Sequence, residues 1–356
     1  MRKKTKKIHV NPQVLKTLRE NSGYSIKDVA KKLKVSEEKI KKVEREEDDF
    51  TLNQIKKLAD IYKVPLAAFF SEEVPHLPSL PDYRVNREKK VPPSVNLAIR
   101  RAKYLSDMIY GISGRKTTLP KFPRDLSAKE LADKLRKYLN SEAPRRVAPT
   151  KILDYYKKIV EEKLNVIVIE YPLKADDVRG FVIKDKLSVI VLNESDEATV
   201  KLFSLFHELG HLLRDEMGIC SITMEEEKDV ERYCNRFAAE FLMPEDEFRE
   251  MISRYGKDYE SLRKLQRIFG VSIHAMMIRL LNLGLISREE YEAFKRNVPE
   301  YKKSGGVKNW ESTFRNRAGH LAIEEVSKAH KRGDLSFYEA MRILGVKLKY
   351  AEKLIG

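Results

Sequence analysis

Two histidines stand four residues apart, with a glutamate directly after the first: His207, Glu208 and His211. The residues just before them, 202–206, are mostly apolar, which predicts a helix buried inside a domain. On a helix, residues four apart share a face, so both imidazoles can bind one metal ion. Glu208 lies about 100° further round that helix and can reach a metal-bound water without being a ligand. The spacing therefore predicts a metal site on a buried helix.

The H-E-x-x-H spacing predicts a particular chemistry. A catalytic zinc ion lowers the pKa of its water to about 7, and a neighbouring carboxylate can take the proton as the water attacks a carbonyl. This is the zincin arrangement. The alternative interpretation of the same five residues is a buried helix that carries two histidines hydrogen-bonded for structural reasons. A third protein ligand would distinguish the catalytic interpretation from the structural one, because a catalytic zinc ion needs three protein ligands and an open fourth position.

The first candidate for that third ligand is Glu231, which lies 20 residues after His211 at the start of a second predicted helix. A carboxylate from a following helix gives the His₂Glu arrangement of several metallopeptidases. Other acids near the site stay open as rivals, although the first four suit the solvated start of a helix. They are Glu225, Glu226, Glu227, Asp229 and Glu240.

Residues 164–193 change to strand periodicity. Residues 166–169 read as a buried strand, and residues 181–183 and 189–192 read as an antiparallel hairpin. Gly180, just before the hairpin, indicates a bulge or a close approach of backbone. We therefore expect a small antiparallel sheet before the histidine helix.

The segment Glu231–Pro244 resembles the signature E-x-x-A-N-x-F-A-x-x-L-L-M-P of the ImmA/IrrE family of metallopeptidases, and the likeness covers about residues 150–285. The resemblance implies a gluzincin-like zinc peptidase with His207, His211 and Glu231 as metal ligands and Glu208 as general base. One departure from the signature is Phe241, which replaces one apolar residue with another. The second is Cys234, which we interpret as packing while leaving a redox or ligand role open.

Residues 11–70 predict five short helices, with N-cap candidates at Ser25, Ser36 and Thr51. Their order and spacing resemble the Xre/Cro-type repressor domain, in which the second helix of a helix-turn-helix enters the major groove. The resemblance implies base contacts from the third helix and phosphate contacts from two lysines around it. The base-reading residues would be Ser36, Glu37, Glu38 and Lys39, and the phosphate contacts Lys27 and Lys42.

Two features depart from the repressor pattern. Lys34 stands in the turn where the family often has glycine, and the reading helix starts with acids that repel phosphate, although a carboxylate can accept from cytosine. The alternative is a helical protein-interaction module with solvated lysines.

The charge is uneven along the chain, whose formal net charge is +16. Residues 1–70 carry 18 Lys and Arg against 10 Asp and Glu, residues 81–150 carry 17 against 7, and residues 151–300 carry 23 against 29. A basic N-terminal third beside an acidic middle indicates a nucleic-acid module joined to a region with another task.

Two cysteines exclude a disulfide scaffold. Without an apolar leader or an 18-residue apolar run, we expect a cytoplasmic protein that does not span a membrane.

We predict four regions within a mostly helical α+β chain. Residues 1–72 form the helix-turn-helix domain, 73–148 a proline-punctuated linker and basic helical spacer, 149–300 the zinc metallopeptidase domain, and 301–356 a helical appendage. We interpret the spacer as solvated, the alternative being an extension of the DNA-facing surface. Gly345 and Val346 fit a helix-turn-helix-like turn, but a plain appendage is preferred, and no internal repeat is evident.

These features predict a DNA-binding transcriptional regulator fused to a metal-dependent endopeptidase. By resemblance, the substrate is a protein, often a partner repressor. Zinc is the expected metal, although Mn²⁺ or Fe²⁺ suits the same ligands. Duplex DNA is the other expected partner, and repressor domains of this shape commonly bind two-fold sites as homodimers. The alternatives are a non-proteolytic regulator that senses a metal or ligand, and an antitoxin-like component of a toxin–antitoxin system.

Overall fold

The computed structural model describes residues 7–64, 66–71, 92–123, 125–140, 142–174, 178–216, 224–297 and 309–355. The chain divides into two compact units, one of Met1–Arg101 with Leu173–Ala175 and one of Ala102–Pro172 with Asp176–Gly356. The proline-rich linker and the joint at residues 302–306 fall largely outside the described residues. None of the helices described combines the length and apolar character that crossing a bilayer requires.

The N-terminal unit is a small helical bundle. Its elements are β1 (Lys7–Ile8), α1 (Pro12–Asn21), α2 (Ile26–Leu33), α3 (Glu37–Glu44), β2 (Phe50–Thr51), α4 (Leu52–Tyr62) and a 3₁₀-helix (Leu66–Phe70). The 3₁₀-helix occupies the place of the expected fifth α-helix. Ser25, Ser36 and Thr51 are N-caps as predicted, each accepting a hydrogen bond from the backbone N–H three residues on.

A buried ion pair joins two of these helices. Arg19 on α1 donates to both carboxylate oxygens of Glu44 on α3, at 2.6 and 2.9 Å, and to the carbonyl of Tyr24 at 3.1 Å. Only 7% of Arg19 is exposed. The pair fixes α3, the predicted reading helix, against α1.

The second unit is also mostly helical, and its small sheet makes the chain α+β as predicted. Helix α5 (Pro93–Ser113) leads into it, and its first elements are α6 (Ala128–Leu139), α7 (Pro149–Leu164), β3 (Ile167–Tyr171), β4 (Gly180–Ile183) and β5 (Val189–Asn193). The helices that carry and surround the predicted metal site are α8 (Ala198–Glu216), α9 (Met224–Leu242), α10 (Glu245–Tyr255), α11 (Tyr259–Phe269), α12 (Ile273–Asn282) and α13 (Arg288–Asn297). The last four helices are α14 (Trp310–Ala318), α15 (His320–Arg332), α16 (Phe337–Leu344) and α17 (Leu348–Ile355).

The sheet has the order β3-β5-β4 and is mixed. Strands β4 and β5 form the expected antiparallel pair, whereas β3 runs parallel to β5. This differs from the fully antiparallel sheet that we expected, because β5 lies in the middle and β3 pairs with its other edge. At Gly180 a Cβ atom would lie 2.8 Å from the carbonyl oxygen of Val191, so the close-approach interpretation is the correct one.

Helix α6 is not a solvated spacer, because Leu131, Leu135 and Leu139 have no exposed surface and belong to the core around α8 and α9. Arg136 on the same helix donates to the carbonyl oxygens of Glu240 and Phe241 at the end of α9. The basic face that suggested a spacer is the outer side of a core helix.

Buried polar contacts connect helices α14 and α15 to the sheet and to α7. Lys157 on α7 is fully buried and donates to Glu170 on β3 at 2.9 Å and to Asn316 on α14 at 3.0 Å. The carboxylate of Glu161 accepts from the backbone N–H groups of Val168 and His320, both at 3.1 Å. Buried polar groups need such partners, so α14 and α15 are held in a fixed position on the sheet.

Candidate metal centre and nucleic-acid surface

Helices α8 and α9 cross in close contact at Gly210. A Cβ atom there would lie 3.0 Å from the ring of Phe237 and 3.3 Å from the sulfur of Cys234. The apolar face of α8 and residues Phe237 and Phe241 of α9 are buried in one core. The glycine, which directly precedes His211, therefore lets the first helix lie close against the second.

Three predicted ligands converge at this crossing. The Nε2 atoms of His207 and His211 are 3.1 Å apart, and the carboxylate oxygens of Glu231 lie 3.2 and 3.1 Å from them. The ligand atoms of the three residues all lie within 4.8 Å of one another. Sequence spacing placed the two histidines together, and the helix crossing adds the distant carboxylate.

The chemistry of this donor set fits a metal ion. Two imidazole lone pairs and a carboxylate repel one another at this distance unless a proton or a cation lies among them. Ligands at about 2.0–2.1 Å from a tetrahedral zinc ion would stand about 3.3 Å apart, close to the distances in this cluster. Glu231 is half exposed, which leaves one side of the cluster open to solvent. His207, His211 and Glu231 are therefore the residues that could hold the metal.

Asn235 is a functional candidate that the sequence reasoning missed. Its Oδ1 atom lies 3.0 Å from Nδ1 of His207, one turn of α9 beyond Glu231. An amide oxygen only accepts, so Nδ1 carries the proton and Nε2 keeps its lone pair for a metal. The signal was present in the sequence, because residues four apart on a helix share a face.

The electrostatics of the cluster follow from its packing. Hydrogen bonds from His207 and His211 hold the pKa of Glu231 well below its usual range. For His207, burial opposes the charged form, but hydrogen bonding to Glu231 and the charges of Glu208 and Glu231 outweigh it and raise its pKa. The contacts that raise the pKa of His207 and lower that of Glu231 are thus the ones that join the three side chains.

Glu208 lies beside the cluster and outside it. Its side chain is buried, and burial raises its pKa against the opposing charges of the histidines. A Cβ atom on Gly180 would lie 3.6 Å from its Cγ atom, so β4 passes directly over it. A carboxylate in this place can handle a proton next to the metal position without occupying a ligand position.

The structure separates Glu231 from the rival ligands. Glu240 accepts two hydrogen bonds from Arg279, at 2.8 and 2.6 Å, and Asp229 is an exposed residue paired with Arg232. The side chains of Glu225, Glu226 and Glu227 lie outside the described residues. Cys234 is buried outside the ligand cluster, and burial raises the pKa of its thiol to about 12, which suits packing.

The predicted DNA-contacting residues lie on and around α3. Lys27, Glu37, Glu38 and Lys42 are exposed, and so is the N-cap Ser36. Lys39 is placed differently, because its ammonium group donates to the carboxylate of Asp48 and, at 2.7 Å, to the carbonyl of Asp49. Lys39 therefore stabilises the turn after α3 and is less exposed to solvent than the other predicted DNA-contacting residues.

Comparison with known proteins adds to this geometry. Residues 161–281 match the family model "IrrE N-terminal-like domain" of the M78 peptidases, and residues 15–69 match the model "Helix-turn-helix". The two matches follow one another along the chain, the helix-turn-helix match first and the IrrE-like match second. The IrrE-like match includes β3, the whole α8–α9 pair and all but the last residue of α12, and the helix-turn-helix match includes α2 and α3.

A search of curated proteins finds no match. Among solved structures, the chain is similar to a Mycobacterium tuberculosis transcriptional regulator, with 14% identity and a TM-score of 0.34, over 51% of this chain and 50% of that one. The chain thus spans about half the length of this relative, and a TM-score this low does not establish a shared fold.

Proposed function

We propose that the chain is a DNA-binding transcriptional regulator whose IrrE-like domain is a metal-dependent endopeptidase. The observation that supports it is the convergence of His207, His211 and Glu231, with the buried acid Glu208 beside them. A sensor of metal ions needs the ligands but has no use for that extra acid, so Glu208 favours hydrolysis over sensing alone.

The three ligands would hold the ion, by default zinc, with Mn²⁺ and Fe²⁺ as alternatives. When bound, the ion supplies a Lewis acid that makes water a nucleophile at neutral pH and polarises the peptide carbonyl. Glu208 accepts the proton of the attacking water and then delivers it to the leaving amine. Asn235 keeps the His207 ring in the tautomer that leaves Nε2 free.

The surroundings of Glu208 suit an extended polypeptide. No described strand pairs with the outer edge of β4, the strand that begins at Gly180 beside Glu208. A strand at the edge of a sheet can add a peptide by backbone hydrogen bonds, without a requirement for a particular sequence. A protein substrate fits this site, and a partner repressor is the substrate we propose.

The helix-turn-helix domain would bring the peptidase to duplex DNA. In this proposal Lys27 and Lys42 contact phosphates and Ser36, Glu37 and Glu38 contact base edges, while Lys39 keeps its place beside Asp48. The domain limits at 72 and 300, a homodimer and a cytoplasmic location are parts of the proposal that we carry from the sequence. The limit at 148 is not carried, because α6 packs in the core of the second unit.

The direct test is cleavage. Zinc-loaded protein is incubated with the product of the neighbouring gene, and fragments are identified by mass spectrometry. We expect one or a few specific cuts that Glu208→Gln abolishes although the variant retains its metal. Cleavage at an unchanged rate in that variant would refute the role of Glu208. Retention of metal by Glu231→Ala would show that another acid is the third ligand.

A further inference from the structure

The last two helices repeat the backbone of the helix-turn-helix. Both pairs consist of two eight-residue helices separated by three residues, α2 and α3 in one case and α16 and α17 in the other. Each first helix begins with a capping box, formed by Ser25 with Asp28 and by Ser336 with Glu339. Only a few residues are identical between the two segments, so the sequence shows no internal repeat, but the backbone geometry is repeated.

The turns between the helices also agree. The residue after the first helix is left-handed in both, Lys34 at φ 59° and ψ 48° and Gly345 at φ 67° and ψ 29°. A valine follows in each turn, and its N–H donates to a carbonyl in the last turn of that helix. These bonds are Val35 to Ala30 at 3.0 Å and Val346 to Met341 at 3.1 Å. Gly345 adopts this conformation without the strain that a lysine bears.

The inward faces correspond position by position. Ile40 and Val43 of α3 are buried, and so are Ala351 and Leu354 at the equivalent positions of α17. The outward faces are therefore equivalent as well. This correspondence identifies which residues of α17 occupy the base-reading positions of α3.

Those outward positions have opposite charge in the two helices. Lys347, Leu348 and Lys349 stand where α3 has Ser36, Glu37 and Glu38. All three are exposed, Leu348 by 61%. Among the residues that the structure describes, neither lysine has a carboxylate partner. The C-terminal pair thus presents the charge that suits phosphate, which the start of α3 lacks.

A third helix pair shows that the turn alone is not enough. Helices α11 and α12 are joined through the left-handed Gly270, followed by a valine and the N-cap Ser272. Helix α12, however, buries Met276, Met277 and Leu280 in the core, and its single charged residue, Arg279, is also buried and is bound to Glu240. The two exposed lysines distinguish α17 from α12, which has Ser272 and His274 at the corresponding positions.

We infer that α16 and α17 form a second helix-turn-helix that binds duplex DNA, with α17 in a groove. Lys347 and Lys349 neutralise phosphates, and Leu348 supplies an apolar contact to base edges, such as a thymine methyl group. This goes beyond the N-terminal domain, and it gives the chain two DNA-binding elements. Binding of both to one duplex would raise the overall affinity.

The test uses the full chain and a fluorescently labelled duplex of random sequence, with the dissociation constant measured over a salt series. The variant is Lys347→Glu with Lys349→Glu. The matched control is Arg263→Glu with Lys264→Glu, the same charge change on exposed positions of α11. Both are also made in a background with Lys27→Glu and Lys42→Glu. Circular dichroism and thermal unfolding check that each variant is folded.

We expect the α17 variant to bind at least about tenfold more weakly, with a salt slope reduced by about 1.8, since each phosphate contact contributes about 0.9. The control should change the slope by much less. In the variant with Lys27→Glu and Lys42→Glu, we expect some binding to the duplex to remain. That remaining binding should be lost only when the two lysines of α17 are changed as well.

An α17 variant that matches the control overturns the inference, and it leaves the proposed function standing if the N-terminal variant still loses affinity. Unchanged DNA binding together with a lost protein–protein association would assign α17 to a protein partner, which also overturns it.

Discussion

The α8–α9 pair and the α2–α3 pair place their functional groups in opposite ways. In the first, His207, His211 and Glu231 turn towards one another across a helix crossing and meet within 4.8 Å. In the second, a buried ion pair from Arg19 of the neighbouring helix α1 to Glu44 holds α3, and the predicted DNA-contacting side chains face solvent. Convergent groups act as a unit, whereas displayed groups act separately. Single changes should therefore be close to all-or-none at the metal centre and graded on the DNA surface.

The largest effect should come from removing a ligand. His207→Ala takes away one of three donors, and we expect metal content to fall from about one ion per chain to a small fraction of that. The measurement is mass spectrometry of the metal after dialysis. His274→Ala is the control, because that histidine is exposed and contacts the ring of Tyr291. Equal metal content in the two variants would remove His207 from the site.

Glu208→Gln separates the acid from the ligands. The amide keeps the shape but cannot accept a proton, so we expect cleavage to slow by about 10²–10⁴-fold with the metal retained. Rates are measured on the cleaved partner under single-turnover conditions. A variant that loses both metal and activity would show that Glu208 is a metal ligand and not a separate proton acceptor.

The Arg19–Glu44 ion pair, which holds the predicted reading helix α3, tests how the helix-turn-helix domain is stabilised. Arg19→Met leaves the carboxylate of Glu44 buried without a partner, and we expect a loss of about 3–5 kcal/mol in the unfolding free energy of the N-terminal unit. Hydrogen exchange of α1 and α3 in the full chain measures it, with the exposed Arg45→Met as control. Adding Glu44→Leu should restore most of the loss, and failure to do so would point to a packing role for Arg19.

Asn235→Ala should have a moderate effect at the metal centre. Loss of the acceptor frees the His207 ring to turn, and partners of this kind are worth about 10–100-fold in metal affinity. Competition with a chelator measures it, and Arg236→Ala on the exposed face of α9 is the control. Asn235→Asp, which keeps an acceptor oxygen, should retain more affinity than the alanine variant. The reverse order would exclude the orienting role.

The smallest effect should be on the DNA surface. Lys27→Ala with Lys42→Ala removes two phosphate contacts, and we expect the salt slope to fall by about 1.8 with affinity reduced about tenfold. Lys56→Ala with Lys57→Ala on α4 is the control of equal charge. Abrupt loss of all binding from one lysine alone would contradict the graded behaviour that displayed groups predict.

Many features of the fold and of the candidate metal site could be predicted from local sequence patterns. The spacing of His207 and His211, the N-caps at Ser25 and Ser36, and the hairpin after Gly180 each depend on residues within a few positions of one another. The predicted ligand Glu231 came from its place at the start of the next predicted helix together with the family resemblance, and the structure brings it to the histidines. What local patterns could not give was the partner of Lys39, the burial of α6 or the parallel pairing of β3.

The sequence by itself determined the local elements of this protein: helices with their caps, the shared face of two histidines, and a turn that occurs near both ends of the chain. The tertiary structure decided which distant groups meet. It directs Glu240 to Arg279 and leaves Glu231 for the histidines. It buries the one charged residue of α12 and leaves the two lysines at the start of α17 exposed. The reason is physical, because periodicity and capping are set by neighbours in the chain, whereas burial and ion pairing depend on how separate helices pack.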